Sequence, residues 1–254
     1  MDEKFFFRNR EGESVAAILG IPGKPNGHAV ILLHCFMCTK HHRIMRNLAE
    51  CLAISGFAVL RFDFSGNGES KGKVEESTYT KMISEVKDAV SLLKKRGMKK
   101  IGVAGHSMGA MLGLLCAHED PRIDAVAFIS GSSQAARVRE VFSDEVVEKA
   151  EREGSAEAFV YGRDIILKRE FLHDLEKYNV GHAVAMLKKP LLIVHGAKDE
   201  VIAPFHARSL FGWAHEPKTL ELVAGADHLF RRDEDLIRLR EIVCGWFGKS
   251  LSPQ

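Results

Sequence analysis

Short runs of aliphatic and β-branched residues recur along this chain with amphipathic helical stretches between them, and that alternation most constrains how it can fold. The runs His28–Leu33, Phe57–Phe62, Lys100–Gly105, Ala125–Ser130, Leu191–His195 and Thr219–Val223 show little polar alternation. Strands that read this way are buried on both faces, as in a parallel sheet. Between them, His42–Ser55 carries Ile44, Leu48, Cys51 and Leu52 at helical spacing, and Thr78–Arg96 carries Met82, Val86, Val90 and Leu93. Gly56 and Gly97 follow these two segments as C-cap signals. Met108–Ala117 reads as a helix rich in small residues, and Asp233–Phe247 as a closing amphipathic helix. Ser14–Ile21 adds a strand expected to enter antiparallel, ahead of a turn at Pro22–Gly27. The pattern predicts an α/β fold, a mostly parallel central sheet with helices on both faces.

One stretch breaks the rhythm. Arg137–Arg152 reads as a highly charged helix with Val138, Val141, Phe142 and Val146 on its apolar side. Ala158–Tyr161 and Asp164–Leu167 then read as a hairpin about Gly162-Arg163. The segment is too long for an ordinary connection. The expected division is therefore a core of residues 1–131 and 187–254 with an inserted cap at 132–186.

Charge and cysteine usage bound the partners. The net charge of +2, with acids and bases intermixed, carries no electrostatic footprint for nucleic acid. Lys94-Lys95-Arg96 and Lys99-Lys100 read as the solvated end of a helix, where cations are favoured. No apolar stretch approaches the roughly 20 residues of a membrane span, and Met1–Lys4 followed by Phe5–Phe7 lacks a signal-peptide core. The five cysteines, odd in number and scattered, suggest reduced thiols and a cytoplasmic location.

The chemistry concentrates at Gly105-His106-Ser107-Met108-Gly109, set between the strand Ile101–Ala104 and the helix beginning at Met108. A G-x-S-x-G sequence at a strand-to-helix turn lifts its serine clear of the sheet, and the flanking glycines leave room where side chains would collide. The helix N-terminus below favours developing negative charge. A glycine-rich turn with a capping serine is the plainer reading, and the flanking strand and helix weigh against it.

With Ser107 placed, the chain resembles the α/β-hydrolase family over nearly its whole length, most of all the small esterases and monoacylglycerol-lipase-like enzymes, hydroxycinnamoyl esterases included. The resemblance rests on His34-Cys35-Phe36, on Asp63-Phe64-Ser65-Gly66-Asn67-Gly68-Glu69-Ser70, on Gly105–Gly109, on His195-Gly196-Ala197-Lys198-Asp199, and on Gly225-Ala226-Asp227-His228. It implies a small cap inserted in the α/β-hydrolase fold, and a Ser…Asp…His order in which Asp199 follows a late strand and His228 follows the last one. His228 would then take the serine proton and Asp199 would fix its imidazole. Glu200 and Asp227 neighbour these positions, but the family pattern selects Asp199. The oxyanion would be held by the backbone N–H of Met108 and of Phe36; at Cys35 the family usually has glycine, so this chain departs from the pattern beside the second donor.

Other features are weighed and set aside. Cys35-x-x-Cys38, with His34, His41 and His42 nearby, invites a metal or redox reading, but no second ligand pair is evident, and local packing is preferred. No metal and no cofactor is therefore expected. Asp63–Ser70 reads as a structural turn in which Asp63 accepts hydrogen bonds from loop amides. Tyr161 and Phe171, with Tyr178, are candidates to line an acyl pocket or to form the insertion's own core. The expected activity is a carboxylesterase acting on a small-molecule ester of short-to-medium or aromatic acyl group. A thioesterase or small-amide hydrolase is the alternative, and a small-ligand-binding protein on the same fold the non-enzymatic one. An aspartate at position 107 would have pointed to dehalogenase or epoxide-hydrolase chemistry, and serine stands there instead.

Overall fold

In the computed structural model, which describes residues 2–251, eight strands form one sheet in the order β1-β2-β4-β3-β5-β6-β9-β10. Their ranges are β1 Asp2–Arg8, β2 Ser14–Gly20, β3 Ala29–Leu33, β4 Ala58–Phe62, β5 Ile101–His106, β6 Ala125–Ile129, β9 Leu191–Gly196 and β10 Lys218–Val223. Every pairing from β4 to β10 is parallel, while β2 pairs antiparallel with both β1 and β4. The missing polar alternation has its cause in β3. Val30 and Leu32 enter one apolar cluster, with α1 (Arg43–Ile54) and α8 (Asp233–Ser250). Ala29, Ile31 and Leu33 enter the other, with α2 (Tyr79–Lys95) and α3 (Met108–Glu119). Both faces are dry, so both positions of the two-residue period must be apolar. Each buried Val, Ile or Leu among them contributes about 1.5–3 kcal/mol.

Helix boundaries follow the local chemistry. Thr78 caps α2, its hydroxyl accepting the Lys81 N–H at 3.2 Å, and the helix ends at Lys95, just ahead of Gly97. No helix among the described residues is long and apolar enough to cross a membrane.

Three local features depart from the sequence reading. β1 had no counterpart in it: Phe5-Phe6-Phe7 is an unbroken apolar run, yet as an edge strand it alternates, Phe5 and Phe7 packing on the core and Phe6 exposed. The single helix expected over Arg137–Arg152 is two pieces, a 3-10 segment Ala135–Val141 and α4 Asp144–Glu153. Ser143 breaks it: its hydroxyl accepts the Val146 N–H at 3.4 Å, and Asp144 and Glu145 fill the new first turn, a stronger start signal than the charged run is a continuous helix. The expected hairpin is longer, β7 Ser155–Val160 with β8 Arg163–Lys168, and turns at Tyr161-Gly162 with φ of +49° and +78°. Two successive positive φ values are what a type I′ turn needs to match the twist of its strands. Helices α5 Arg169–Glu176, α6 Val180–Met186 and α7 Phe205–Trp213 complete the chain.

Candidate active site

The carboxyl ends of β3, β5, β9 and β10 deliver four loops to one end of the sheet. Ser107 stands at the end of β5 with φ +56° and ψ −118°, a conformation side chains avoid, and is the residue before α3. Its N–H donates to the Ile129 carbonyl at 2.9 Å, which fixes the turn to the neighbouring strand. The glycines are required by contact. A Cβ on Gly105 would lie 2.1 Å from the Gly109 carbonyl oxygen, and one on Gly109 would lie 2.3 Å from that of Leu33. The elbow closes only because both are absent.

Asp199 and His228 meet from the loops after β9 and β10. Asp199 Oδ1 accepts the N–H groups of Val201 and Ile202 at 3.0 and 2.8 Å. Its Oδ2 lies 2.8 Å from His228 Nδ1 and 3.2 Å from His195 Nε2. Burial opposes its ionisation, but the donors from His195, His228 and Ile202 prevail and hold the carboxyl well below the usual range. With Nδ1 donating to this carboxylate, His228 carries its lone pair on Nε2. The His228 backbone is held from behind, where His106 Nε2 donates to its carbonyl at 2.8 Å, and the two ring centroids lie 4.9 Å apart. Burial, and then the neighbouring His228, keep His106 neutral. Asp227 is spent on its own loop, accepting from the Leu229 and Arg231 backbone and the Arg231 guanidinium at 2.9–3.1 Å.

The loop after β3 carries Phe36. His34 Nε2 accepts the Phe64 N–H at 3.1 Å, so its proton is on Nδ1, which donates to the Cys35 carbonyl at 2.8 Å. Cys35 to Cys38 is a turn closed by the Cys38 N–H on the Cys35 carbonyl at 3.1 Å, with Met37 at φ +57°. The expectation that all cysteines are reduced thiols is corrected here. Cys35 and Cys38 form a disulfide, since the turn brings their Cα atoms to 5.3 Å, inside bonding range. Cys51, Cys116 and Cys244 are free. Phe36 is the second residue of the turn, so its N–H takes no part in closing it, and Met108 opens α3, where an N–H has no intrahelical partner.

Ser107, His228, Cys35, Phe36, His42 and Tyr161 line a cavity of about 730 Å³. A second, of about 390 Å³, shares Ser107, Phe36, Tyr161 and His228 and adds Met108, Arg137 and Val138. Phe171 lines neither. It is buried, packs on Phe36 with ring centroids 6.3 Å apart, and lines a narrow neighbouring cleft with Phe36 and Met108.

A family described as the alpha/beta hydrolase fold matches residues 28–150. The esterase domain of a Rhodothermus marinus protein is 28% identical and superimposes with a TM-score of 0.78 over 99% of this chain and all of that one. Est1E of Butyrivibrio proteoclasticus with ferulic acid bound is 25% identical, with a TM-score of 0.85 over 98% of this chain and all of its own. The chain has the α/β-hydrolase fold. The human mitochondrial palmitoyl-protein thioesterase ABHD10 is 29% identical over 59% of this chain and 50% of its own length. The chain spans about half the length of the curated relatives it matches.

Two histidines at this site have contacts that the sequence reading did not assign: His195 stood there only within the family motif, and His42 only in the metal reading that was set aside. His195 lies inside a fully buried strand, where its Nε2 donates to the Ile202 carbonyl at 2.8 Å while reaching Asp199. His42 precedes α1 and stacks on His106 at 5.9 Å with 8° between the rings. A histidine ending an apolar run was the available signal for the first, and only the fold supplies its partner.

Proposed function

We propose that this α/β-hydrolase is a serine carboxylesterase that cleaves short-to-medium or aromatic acyl esters through an acyl-enzyme on Ser107. The reading is carried by one observation: the Asp199-bound imidazole of His228 lines the same cavity as the strained Ser107. In the proposed reaction His228 Nε2 takes the Ser107 Oγ proton as Oγ attacks the acyl carbon. The oxyanion is met by the N–H groups of Met108 and Phe36, a contribution worth about 10²–10³ in rate for each donor. Collapse expels the alcohol, protonated by His228. Water, deprotonated by the same imidazole, then hydrolyses the acyl-enzyme, while the low carboxyl of Asp199 stabilises the imidazolium in both halves.

Residues 132–186 act as a cap in this reading, and Tyr161 at the tip of its hairpin is the acyl-facing contact; Phe171 supports Phe36 from behind. The ferulic acid held by Est1E favours an aromatic acyl group. The thioesterase relative gives a second reading, hydrolysis of acyl thioesters by the same groups.

The test is a fluorophosphonate treatment followed by intact mass and peptide mapping, beside a panel of matched esters and thioesters. One adduct on Ser107 and loss of turnover in folded Ser107→Ala are expected. An unchanged mass in folded protein would sink the proposal, and a higher kcat/KM for thioesters would replace it with the second reading.

A further inference from the structure

The reaction above uses neither sulfur of the Cys35–Cys38 pair nor the ring of His42. Yet one donor atom from each of these three residues lies within 4.8 Å of the others, the only such group of three or more potential ligands among the described residues. His42 Nδ1 is buried and has no hydrogen-bond partner. The His106 stack holds its ring in one plane. All three residues line the cavity that holds Ser107 and His228. The neighbouring His41 is not part of the group; it faces Glu69 at 3.7 Å.

The chemistry of the donors selects the ligand. Two cysteines separated by two intervening residues on a tight turn present their sulfurs to one point, as in zinc-binding turns, and thiolate with imidazole is the set preferred by thiophilic cations such as Zn²⁺. A tetrahedral ion with sulfur at about 2.3 Å and nitrogen at about 2.0 Å needs donors a little under 4 Å apart. The three donor atoms already lie within 4.8 Å of one another, so breaking the sulfur–sulfur bond leaves only side-chain rotation to reach that spacing.

We propose that, when its disulfide is reduced, the Cys35–Cys38 pair binds one Zn²⁺-like cation together with His42, at the wall of the cavity that holds Ser107. A dithiol supplies two electrons and two protons to the disulfide and leaves as its own cyclic disulfide, giving two thiols. The cation then displaces both thiol protons to solvent, and two thiolates and a neutral imidazole leave a fourth position open to the cavity. The oxidised form has no thiolate to offer, so binding belongs to the reduced form alone. Resting on the esterase reading, a bound ion and its water occupy the space beside Ser107, and ester turnover falls.

The full chain, reduced with a dithiol and freed of it anaerobically, is titrated with Co²⁺ and then Zn²⁺. One Co²⁺ per chain is expected, with a thiolate-to-cobalt charge-transfer band that Zn²⁺ abolishes; oxidised protein and Cys38→Ser show no band. His42→Ala weakens binding by more than the roughly 10–100-fold typical of losing an outer-shell partner. Cys51→Ser, at a free cysteine outside the group, leaves the band unchanged. Iodoacetamide mapping of reduced wild type gives the same information without a variant: Zn²⁺, and not Mg²⁺, protects Cys35 and Cys38. No cobalt uptake, a band that survives Cys38→Ser, or equal alkylation with and without Zn²⁺ overturns the proposal. These readouts need no turnover, so an inactive esterase leaves them intact. A metal-binding protein whose ester hydrolysis ignores Zn²⁺ sinks only the inhibition.

Discussion

Asp63 holds Lys40 twice, its Oδ1 accepting the backbone N–H at 2.6 Å and its Oδ2 the ammonium at 2.5 Å. Both side chains are at most 2% exposed, and Oδ2 also accepts the Glu69 N–H at 2.9 Å. The pair ties the loop that carries Phe36, the proposed second oxyanion donor, to the turn after β4.

Asp63→Asn keeps the shape but removes the charge, leaving the Lys40 ammonium with Glu69 alone. Breaking a buried pair from one side costs about 3–5 kcal/mol, and Glu69 should hold the loss near the lower figure. Urea unfolding measures it. A loss under about 1 kcal/mol, below even an ordinary buried hydrogen bond, would show that the pair does not anchor the loop.

Asp199→Asn leaves the site's shape and removes the acceptor that fixes His228 Nδ1–H. The expected fall in kcat is about 10⁴-fold, the size seen where the wrong tautomer results. Ser107→Ala should fall at least as far, and the double variant no further than Ser107→Ala alone, because the groups act as a unit. Additive losses in a kinetic series would refute that unit.

Gly109→Ala forces a β-carbon onto the Leu33 and His34 carbonyls and should cost about 2–3 kcal/mol, within the range for overpacking. Gly245→Ala, on an open face of α8, meets nothing within 4 Å and should stabilise by about 0.5–1 kcal/mol. Thermal unfolding of the two variants should move in opposite directions.

Stability should decline on mild acidification. Burial holds His34 and His206 down at about 4, from an ordinary 6.5, and His106 well below it. The unfolded chain therefore binds more protons as pH falls below 6.5, and folding stability drops continuously from there towards 4. Above 6.5 these groups contribute no slope. Urea midpoints at pH 7.5, 6 and 5 test the sign, and a midpoint flat from 7.5 to 5 would contradict it.

Tyr161→Ala should raise KM several-fold for aromatic acyl esters while an acetyl ester, too short to reach the hairpin tip, keeps its kcat. Equal effects on both esters would remove Tyr161 from the acyl side of the cavity.

The fold and the strained turn at Ser107 were legible because both are local. Apolar runs buried on two faces, C-cap glycines and the crowding at Gly105 and Gly109 are properties of short segments, and each segment carries its own signal. Local signals also misled where two competed: Ser143 overrode a charged helical run, and three phenylalanines hid an edge strand. The cysteines were misjudged for another reason. Their number says nothing about the turn that brings Cys35 to Cys38.

By itself the sequence determined the α/β alternation and the elbow at Ser107, and with the family's order it nominated Asp199 and His228. Only the tertiary structure decided that Asp199 Oδ2 is within reach of both His195 and His228, that Lys40 is neutralised by Asp63, and that His42 faces a disulfide. Those are pairings between residues far apart in the chain or on opposite sides of a turn. Their energies depend on distance and burial, and neither exists until the sheet has brought its loops together.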